Sequence, residues 1–103
     1  MKVIWSEFAV AELKGIFDYY KINAGLFVAQ QIRNDVFKSV KLLIKQPQMG
    51  QIESYLVDLN HEYRYLLAGN YKIIYYISVK EIHITDIFDC RRNPSEMKEN
   101  TFK

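Results

Sequence analysis

Tyrosine is the residue type in this chain best suited to recognition chemistry. Eight of the 103 residues are tyrosine, and five of these lie between Tyr63 and Tyr76. Because tyrosine combines an apolar ring with a polar hydroxyl, such a cluster is either sheet core or a recognition surface. Lys72 lies inside the cluster, and two adjacent arginines, Arg91 and Arg92, follow the last apolar segment. These three cations suit the acidic groups of a partner protein.

The histidines and the cysteine do not predict a metal site. His61 and His83 are 22 residues apart, and Cys90 is the only cysteine. A structural zinc site needs closely spaced Cys or His pairs, so we expect no metal and no cofactor. His61 is interpreted as a turn residue, and His83 as a structural strand residue rather than a catalytic acid.

The composition predicts one domain, residues 1–103, in the cytoplasm. Half of the residues are apolar, and only four are glycine and two proline, which excludes a disordered chain. The longest uninterrupted apolar run is residues 73–77, whereas a membrane helix needs ~20 residues. A net charge of +2 is too small to predict sequence-specific DNA binding. The single cysteine and the absence of a signal-peptide pattern fit a reducing compartment.

Two helices are predicted between residues 6 and 46. Ser6 is a good N-cap, and the apolar residues that follow it recur at helical spacing. A break at residues 23–25 separates this helix from a second one, which ends before Pro47. Lys38, Lys41 and Lys45 form a stripe that is either a solvated face or a surface for phosphate or an acidic partner. The two helices should form an antiparallel hairpin.

The chain after Gly50 alternates with a period of two, which is typical of strands. Strands are predicted over residues 62–68, 71–78 and 82–89, with a weaker one over 52–57. Gly69 and Asn70 fit a two-residue hairpin loop, and Lys80 and Glu81 a second turn. Residues 95–103 are interpreted as a polar C-terminal tail. The predicted fold is α+β, in the order β-α-α-β-β-β-β, with a helical hairpin on one face of a four- to five-stranded, mostly antiparallel sheet.

The hairpin register assigns the strand side chains to two faces of the sheet. Pairing Ala68 with Tyr71 places Leu66 and Ile73 on the face that we assign to the helices. The expected core between helices and sheet is Leu13, Phe17, Ile32, Val36, Leu66, Ile73 and Ile77. The opposite face, called the second face below, should carry Tyr63, Tyr65, Lys72 and Tyr76, with Asp89 opposite Lys72. It is either a working surface or the half-wet side of the sheet.

Two segments resemble the RelE/ParE superfamily of bacterial toxins, the toxin halves of type II toxin–antitoxin pairs. They are residues 62–75 (EYRYLLAGNYKIIY) and residues 89–94 (DCRRNP). The order and spacing of these motifs, with the preceding strand and helices, extend the resemblance over about residues 2–97. The resemblance implies the same helical hairpin on an antiparallel sheet. It also implies an antitoxin partner and a role in plasmid stabilisation and growth arrest.

The superfamily contains two mechanisms, and the resemblance implies different site residues for each. RelE-like members cleave mRNA on the ribosome; there, Lys72 matches the phosphate-binding cation, Glu53 a general base, and Arg91 completes the catalytic set. The tyrosine or histidine that serves as the acid has no counterpart, because Met97 stands at that position. ParE-like members instead bind and poison DNA gyrase, and the Arg91–Pro94 segment resembles this branch more closely.

Three functions follow as hypotheses. The first is a ParE-like toxin that binds gyrase or its antitoxin through Tyr63, Tyr65, Lys72, Tyr76, Arg91 and Arg92. The second is a ribosome-dependent endoribonuclease that uses Glu53, Lys72 and Arg91. The third is a toxin fold that has lost toxicity and only pairs with its partner. In each case we expect Arg91 or Arg92 to reach solvent or an acidic neighbour such as Asp89.

Overall fold

The protein is described by a computed structural model that covers residues 1–101. The α+β fold is confirmed: two helices pack on a five-stranded sheet with the strand order β1-β5-β4-β3-β2. Strand β1 is parallel to β5, and all other neighbours are antiparallel. The elements are β1 (Lys2–Trp5), α1 (Glu7–Asn23), α2 (Leu26–Lys45), β2 (Gln51–Ile52), a 3₁₀ turn (Ser54–Leu56), β3 (Arg64–Ala68), β4 (Tyr71–Ser78), β5 (Glu81–Asp89) and α3 (Glu96–Thr101).

The helical hairpin begins and turns where the sequence predicts. The Ser6 Oγ accepts a hydrogen bond from the Ala9 N–H at 3.0 Å, which satisfies one of the free donors at the start of α1. The Ser6 N–H donates to the carbonyl of Ile84 at 2.9 Å and so ties this helix start to β5. Gly25 has a φ of +99°, which a residue with a Cβ rarely adopts, and it links the two helices. No helix within residues 1–101 combines the length and apolar character needed to cross a membrane.

The β3–β4 hairpin has the predicted register. Ala68 pairs with Tyr71, Leu66 with Ile73, and Leu67 with Lys72. Gly69 lies in the loop with a φ of +60°, as a tight hairpin turn requires.

The predicted pairing of Asp89 with Lys72 is wrong. The β4–β5 turn is Val79–Lys80 rather than Lys80–Glu81, since Ser78 pairs with Glu81. An irregularity at Ile74/Tyr75 then shifts the register, because Thr85 has no partner residue in β4. Asp89 therefore pairs with Tyr71 and belongs to the helix-covered face of the sheet.

Two segments differ from their predicted structure. Of the predicted strand 52–57, only Ile52 pairs with β3, together with the preceding Gln51. The chain then enters the 3₁₀ turn, which the Glu53 side chain caps at the Tyr55 N–H. Within the expected tail of residues 95–103, residues 96–101 form α3, and residues 102–103 lie outside the described part. The polar composition of this segment gives no helical pattern of apolar residues. Met97 is the one apolar residue of α3 and anchors the helix, with 1% of its surface exposed.

The main core lies between the helical hairpin and the sheet, as predicted. Leu13, Val36 and Ile73 are buried in it, and Ile32, Leu66 and Ile77 pack against its edge. Phe17 was expected in this core but is only half-buried, because it lines a groove on the hairpin with Arg33 above its ring.

A second, smaller core covers part of the second face. Its buried members are Leu56, Tyr63, Ile74, Phe88 and Met97. Leu56 comes from the 3₁₀ turn and Met97 from α3. The second face, expected to be a working surface or the half-wet side of the sheet, is therefore buried at its centre.

Gly50 holds the start of β2 close to β3 and to the Tyr75 side chain. Its N–H donates to the Tyr75 hydroxyl at 3.0 Å, and that hydroxyl donates to the carbonyl of Pro47 at 2.8 Å. A Cβ at Gly50 would lie 2.8 Å from the carbonyl oxygen of Tyr65, so only glycine fits this close approach. The contact anchors β2 against β3 and places Glu53 directly after it.

Candidate functional site

Glu53 and Lys72 form a tight pair on the second face. The Lys72 Nζ lies 2.9 Å from Glu53 Oε2 and 4.2 Å from the centre of the Tyr65 ring. The other carboxylate oxygen of Glu53 accepts the Tyr55 N–H at 3.3 Å. Glu53 is only 1% exposed, while the Lys72 side chain is 20% exposed. The sequence-predicted Glu53, Tyr65 and Lys72 are thus brought together, which we call the Glu53 pair site.

The buried state of Glu53 limits what this site can do chemically. A general base must come within hydrogen-bond distance of the proton that it removes. Both Glu53 oxygens already have partners within the protein. The Lys72 ammonium is held by Glu53 and by the face of the Tyr65 ring, which attracts a cation, while part of the Lys72 side chain stays exposed.

The two arginines form a separate rim at the end of β5. Arg91 holds Asp89 through two side-chain contacts, Nε–Oδ1 at 2.9 Å and Nη2–Oδ2 at 2.8 Å. The Arg91 side chain is 60% exposed and that of Arg92 41%. The expectation that at least one arginine reaches solvent or Asp89 is confirmed. We call Asp89, Arg91 and Arg92 the arginine rim.

Electrostatics at the rim favour a charged, preorganised Arg91. Its guanidinium hydrogen bonds lower the pKa of Asp89, and the carboxylate in turn raises the pKa of Arg91. Hydrogen bonds from the Tyr71 hydroxyl and from Arg91 lower the pKa of Tyr20. Burial, followed by the bond to Tyr20, raises the pKa of Tyr71. A bidentate arginine held by a neighbouring carboxylate is geometrically fixed before any partner arrives.

The rim borders a cleft on the helix-covered side of the sheet. The cleft has a volume of about 440 Å³ and is lined by α1 and by residues of β4 and β5, among them Tyr71 and Asp89. Arg92 lies at its end, 3.9 Å from Glu12 of α1, and its Nε donates to Glu96 of α3 at 2.8 Å. Asp89 and Arg91 therefore lie on the opposite side of the sheet from the Glu53 pair site, so Arg91 does not complete a site with Glu53. Arg92 lies at the edge between the two sides, with its guanidinium 5.3 Å from the centre of the Phe88 ring.

An aromatic stack occupies the other part of the second face. His61 stacks on Tyr76 with ring centres 3.8 Å apart and planes 6° apart, and His83 stacks on the same ring at 4.7 Å and 2°. Tyr63 meets both His61 and Tyr76 edge-on. The sequence did not predict this stack, because the expected turn at Lys80–Glu81 pairs His83 with Ser78. With the turn at Val79–Lys80, the alternation itself pairs His83 with Tyr76.

The helical hairpin carries an apolar groove that the sequence did not predict. Its volume is about 380 Å³, and basic groups of Lys14 and Arg33 stand beside its apolar lining. Arg33 lies 4.7 Å above the Phe17 ring. The apolar lining consists of Trp5, Val10, Leu13, Phe17 and Phe37. Such exposed apolar surface usually marks a site of protein interaction.

Comparison with known proteins decides the family. The family model of the ParE toxin of the type II toxin–antitoxin system parDE matches residues 3–94. The chain belongs to the ParE toxin family. It is thus a ParE-type toxin of a type II toxin–antitoxin system. No curated protein matches the chain significantly.

A solved structure supports the same fold for this ParE-family toxin. It is a chain of the "Chromosomal ParDE TA system from P. aeruginosa", with a TM-score of 0.72 and 24% sequence identity. The similarity covers 86% of this toxin and 95% of that chain. At this identity the comparison shows a shared architecture, and it leaves the target of the toxin to be argued from its own residues.

Proposed function

We propose that this ParE-family toxin acts in the cytoplasm by binding and poisoning DNA gyrase, without a catalytic step of its own. The observation that carries the proposal is the burial of Glu53, which is 1% exposed and paired with Lys72. In the nuclease alternative Glu53 is the general base, so it must reach a ribose hydroxyl. Reaching it would require breaking a carboxylate–ammonium pair inside the protein, which is costly.

The arginine rim is the proposed contact with the target. Arginine is over-represented among the residues that dominate protein interfaces. Arg91 is held by Asp89 in a fixed geometry and still exposes 60% of its side chain. A fixed and exposed guanidinium loses little freedom on binding, which favours affinity. Tyr65, Lys72 and Tyr76 form a second proposed contact area, on the second face of the sheet, whereas Tyr63 is buried and supports that area from below.

The proposed protein partner in the resting cell is an antitoxin, as the membership in a toxin–antitoxin family implies. We expect an amphipathic antitoxin helix in the hairpin groove, because helices with one apolar face fit such grooves. Lys14 and Arg33 at the groove favour acidic residues on that helix. Acidic groups elsewhere in the antitoxin would meet the arginine rim and mask it.

Growth arrest after induction tests the gyrase proposal. Arg91→Ala/Arg92→Ala is expected to abolish the arrest, and Glu53→Gln to preserve it. Lys38→Ala/Lys41→Ala removes the same charge from exposed positions of α2 and serves as the matched control; it should stay toxic. Circular dichroism verifies that each variant is folded. Relief by Glu53→Gln together with persistent toxicity of the double arginine variant would contradict the proposal.

Antitoxin docking is tested separately with Phe37→Glu, which places a carboxylate in the groove. We expect this variant to remain toxic when the antitoxin encoded beside it is co-expressed, because the charge repels an acidic helix. The unmodified toxin should be neutralised in the same strain. Full neutralisation of Phe37→Glu would place the antitoxin elsewhere.

One observation favours a second candidate, a ribosome-dependent mRNA endoribonuclease. Glu53, Lys72 and Tyr65 meet on one sheet face and supply a carboxylate, a cation and a phenol. Such groups serve as base, phosphate anchor and acid in RNA cleavage.

Absence of growth arrest from the unmodified toxin would instead support a toxin fold that has lost toxicity and only binds its partner.

A further inference from the structure

Helix α3 lies over the second face as a short cover. Met97 inserts into the smaller core with 1% of its surface exposed. At the surface, the Lys98 Nζ lies 2.6 Å from Asp58 Oδ2, and both side chains are largely solvated. Exposed ion pairs contribute little, so the attachment of α3 depends on its buried contacts.

The most unusual of these buried contacts involves Asp86 of β5. Asp86 is 1% exposed, and its Oδ2 accepts a hydrogen bond from the Asn100 amide of α3 at 3.1 Å. Its Oδ1 has no partner with hydrogen-bond geometry within residues 1–101, and the nearby Ile87 N–H stabilises the ionised form less than the other surrounding groups do. An ionised carboxylate in such a place is strongly unfavourable unless its oxygens are satisfied. Burying the protonated carboxyl costs less free energy, because loss of water penalises the charged form most.

The charged groups around Asp86 do not offset the cost of burying its ionised form. Glu12 faces it from α1 and repels the ionised form, while Arg92 faces it from the loop after β5. Arg92 is itself shared with Glu96 and Glu12. Helix α3 contributes the neutral amide of Asn100, and the β4 residue paired with Asp86 is the apolar Ile74.

We propose that Asp86 makes the attachment of α3 proton-dependent, so that this helix docks more firmly when Asp86 is protonated and detaches more readily when it is ionised. Detachment would bring water to the carboxylate. It would also uncover Phe88 and Ile74, and Phe88 is the pairing partner of Lys72. The cover would thus regulate access to apolar surface beside the Glu53 pair site. This inference does not depend on the target of the toxin.

The direction of the proton linkage follows from the environment of Asp86. Burial raises its pKa to about 6, and the charge of Glu12 adds to this while Asn100 and Arg92 oppose it. A carboxyl whose pKa is higher in the docked state binds its proton more tightly there. Docking is therefore favoured fully below the pKa of the solvated group, near 4, and this advantage is lost as the pH rises through about 6.

Hydrogen exchange measures the opening of α3 directly. The N–H groups of Glu96 and Met97 donate to the carbonyls of Asn93 and Pro94 at 3.0 and 3.1 Å, so their exchange requires the segment to open. After correction for intrinsic rates, we expect the opening constant to rise about tenfold from pH 5 to pH 7.5, as this linkage requires. Amides of β4 in the same sample report global unfolding and should exchange far more slowly.

Matched variants assign the effect to Asp86. Asp86→Asn keeps the shape without the charge and should abolish the pH dependence. The double variant His61→Gln/His83→Gln removes both histidines of the chain, the residue type most often responsible for pH-dependent behaviour in proteins, and should retain the tenfold rise. Asn100→Ala should increase opening at both pH values, which keeps the proposal testable if Asp86→Asn folds poorly. A pH-independent opening in the unmodified protein, or a tenfold rise that survives Asp86→Asn, would overturn the proposal.

Discussion

The two ion pairs beside the sheet have opposite surroundings. Glu53–Lys72 lies on the second face, which only short segments cover, yet its carboxylate is 1% exposed. Asp89–Arg91 lies on the side covered by two long helices, yet 60% of the Arg91 side chain is exposed. How extensively helices cover a face of the sheet therefore does not determine whether the charged side chains on that face are exposed to solvent. The Glu53–Lys72 pair is enclosed by the fold, whereas the Asp89–Arg91 pair is open to solvent.

The cores on the two faces should also differ in how much stability the protein loses when a buried side chain is shortened. Ile73 and Ile74 are adjacent in β4, are 0% and 1% exposed, and point into the main and the smaller core respectively. We expect Ile73→Ala to cost about 2–5 kcal/mol and Ile74→Ala less, because a core roofed by short segments collapses more easily around a cavity.

Urea unfolding of both variants measures this difference in the free energy of unfolding. A loss near zero for Ile73→Ala would contradict the burial of this side chain in the main core. A larger loss for Ile74→Ala would make the smaller core the dominant one.

Removing the cation of the buried pair should be the next most damaging change. Lys72→Met leaves Glu53 buried without its counter-charge, for which we expect a loss of about 3 kcal/mol, the lower end for buried pairs because Lys72 is partly exposed. The double variant Glu53→Gln/Lys72→Met should recover most of it, since no buried charge remains. Unfolding of the singles and the double completes the cycle. Equal stability of Lys72→Met and the unmodified protein would show that Glu53 is solvated.

The exposed pair should matter least for stability. Arg91→Gln is expected to lower the free energy of unfolding far less than Lys72→Met does, because exposed ion pairs contribute little to stability. Because Arg91 lowers the pKa of Asp89, this contribution is present above the ordinary Asp pKa and is lost as the pH falls through the lower folded value. High salt should reduce it further. A loss as large as that of Lys72→Met would make the rim a structural element rather than a free surface.

Most of the fold could be predicted from local sequence signals. Ser6, Gly25 and Pro47 mark the limits of the helical hairpin, and Gly69–Asn70 fixes the β3–β4 register. These signals act over a few residues and depend on backbone geometry alone. The pairing of β4 with β5 could not be predicted in detail, because one unpaired residue, Thr85, shifts every partner beyond it.

The sequence predicted which residues form the candidate site but not their burial or arrangement. Lys72, Tyr65 and Glu53 do meet, but the burial of Glu53 depends on a 3₁₀ turn that replaces a predicted strand. Arg91 was grouped with them only through the family resemblance, and the shifted register places its partner Asp89 on the other face of the sheet. Helix α3 carries too few apolar residues to be recognised by periodicity, and its attachment depends on the long-range contact between Asn100 and Asp86.

The nucleic acid damage that follows induction of the unmodified toxin tests the central claim most directly. If the toxin acts by binding gyrase, DNA isolated after induction should contain double-strand breaks covalently linked to gyrase. Messenger RNA from the same cells should remain free of cuts at codon boundaries. Codon-boundary cuts in the absence of gyrase-linked breaks would contradict the account and would make the Glu53 pair site a catalytic one.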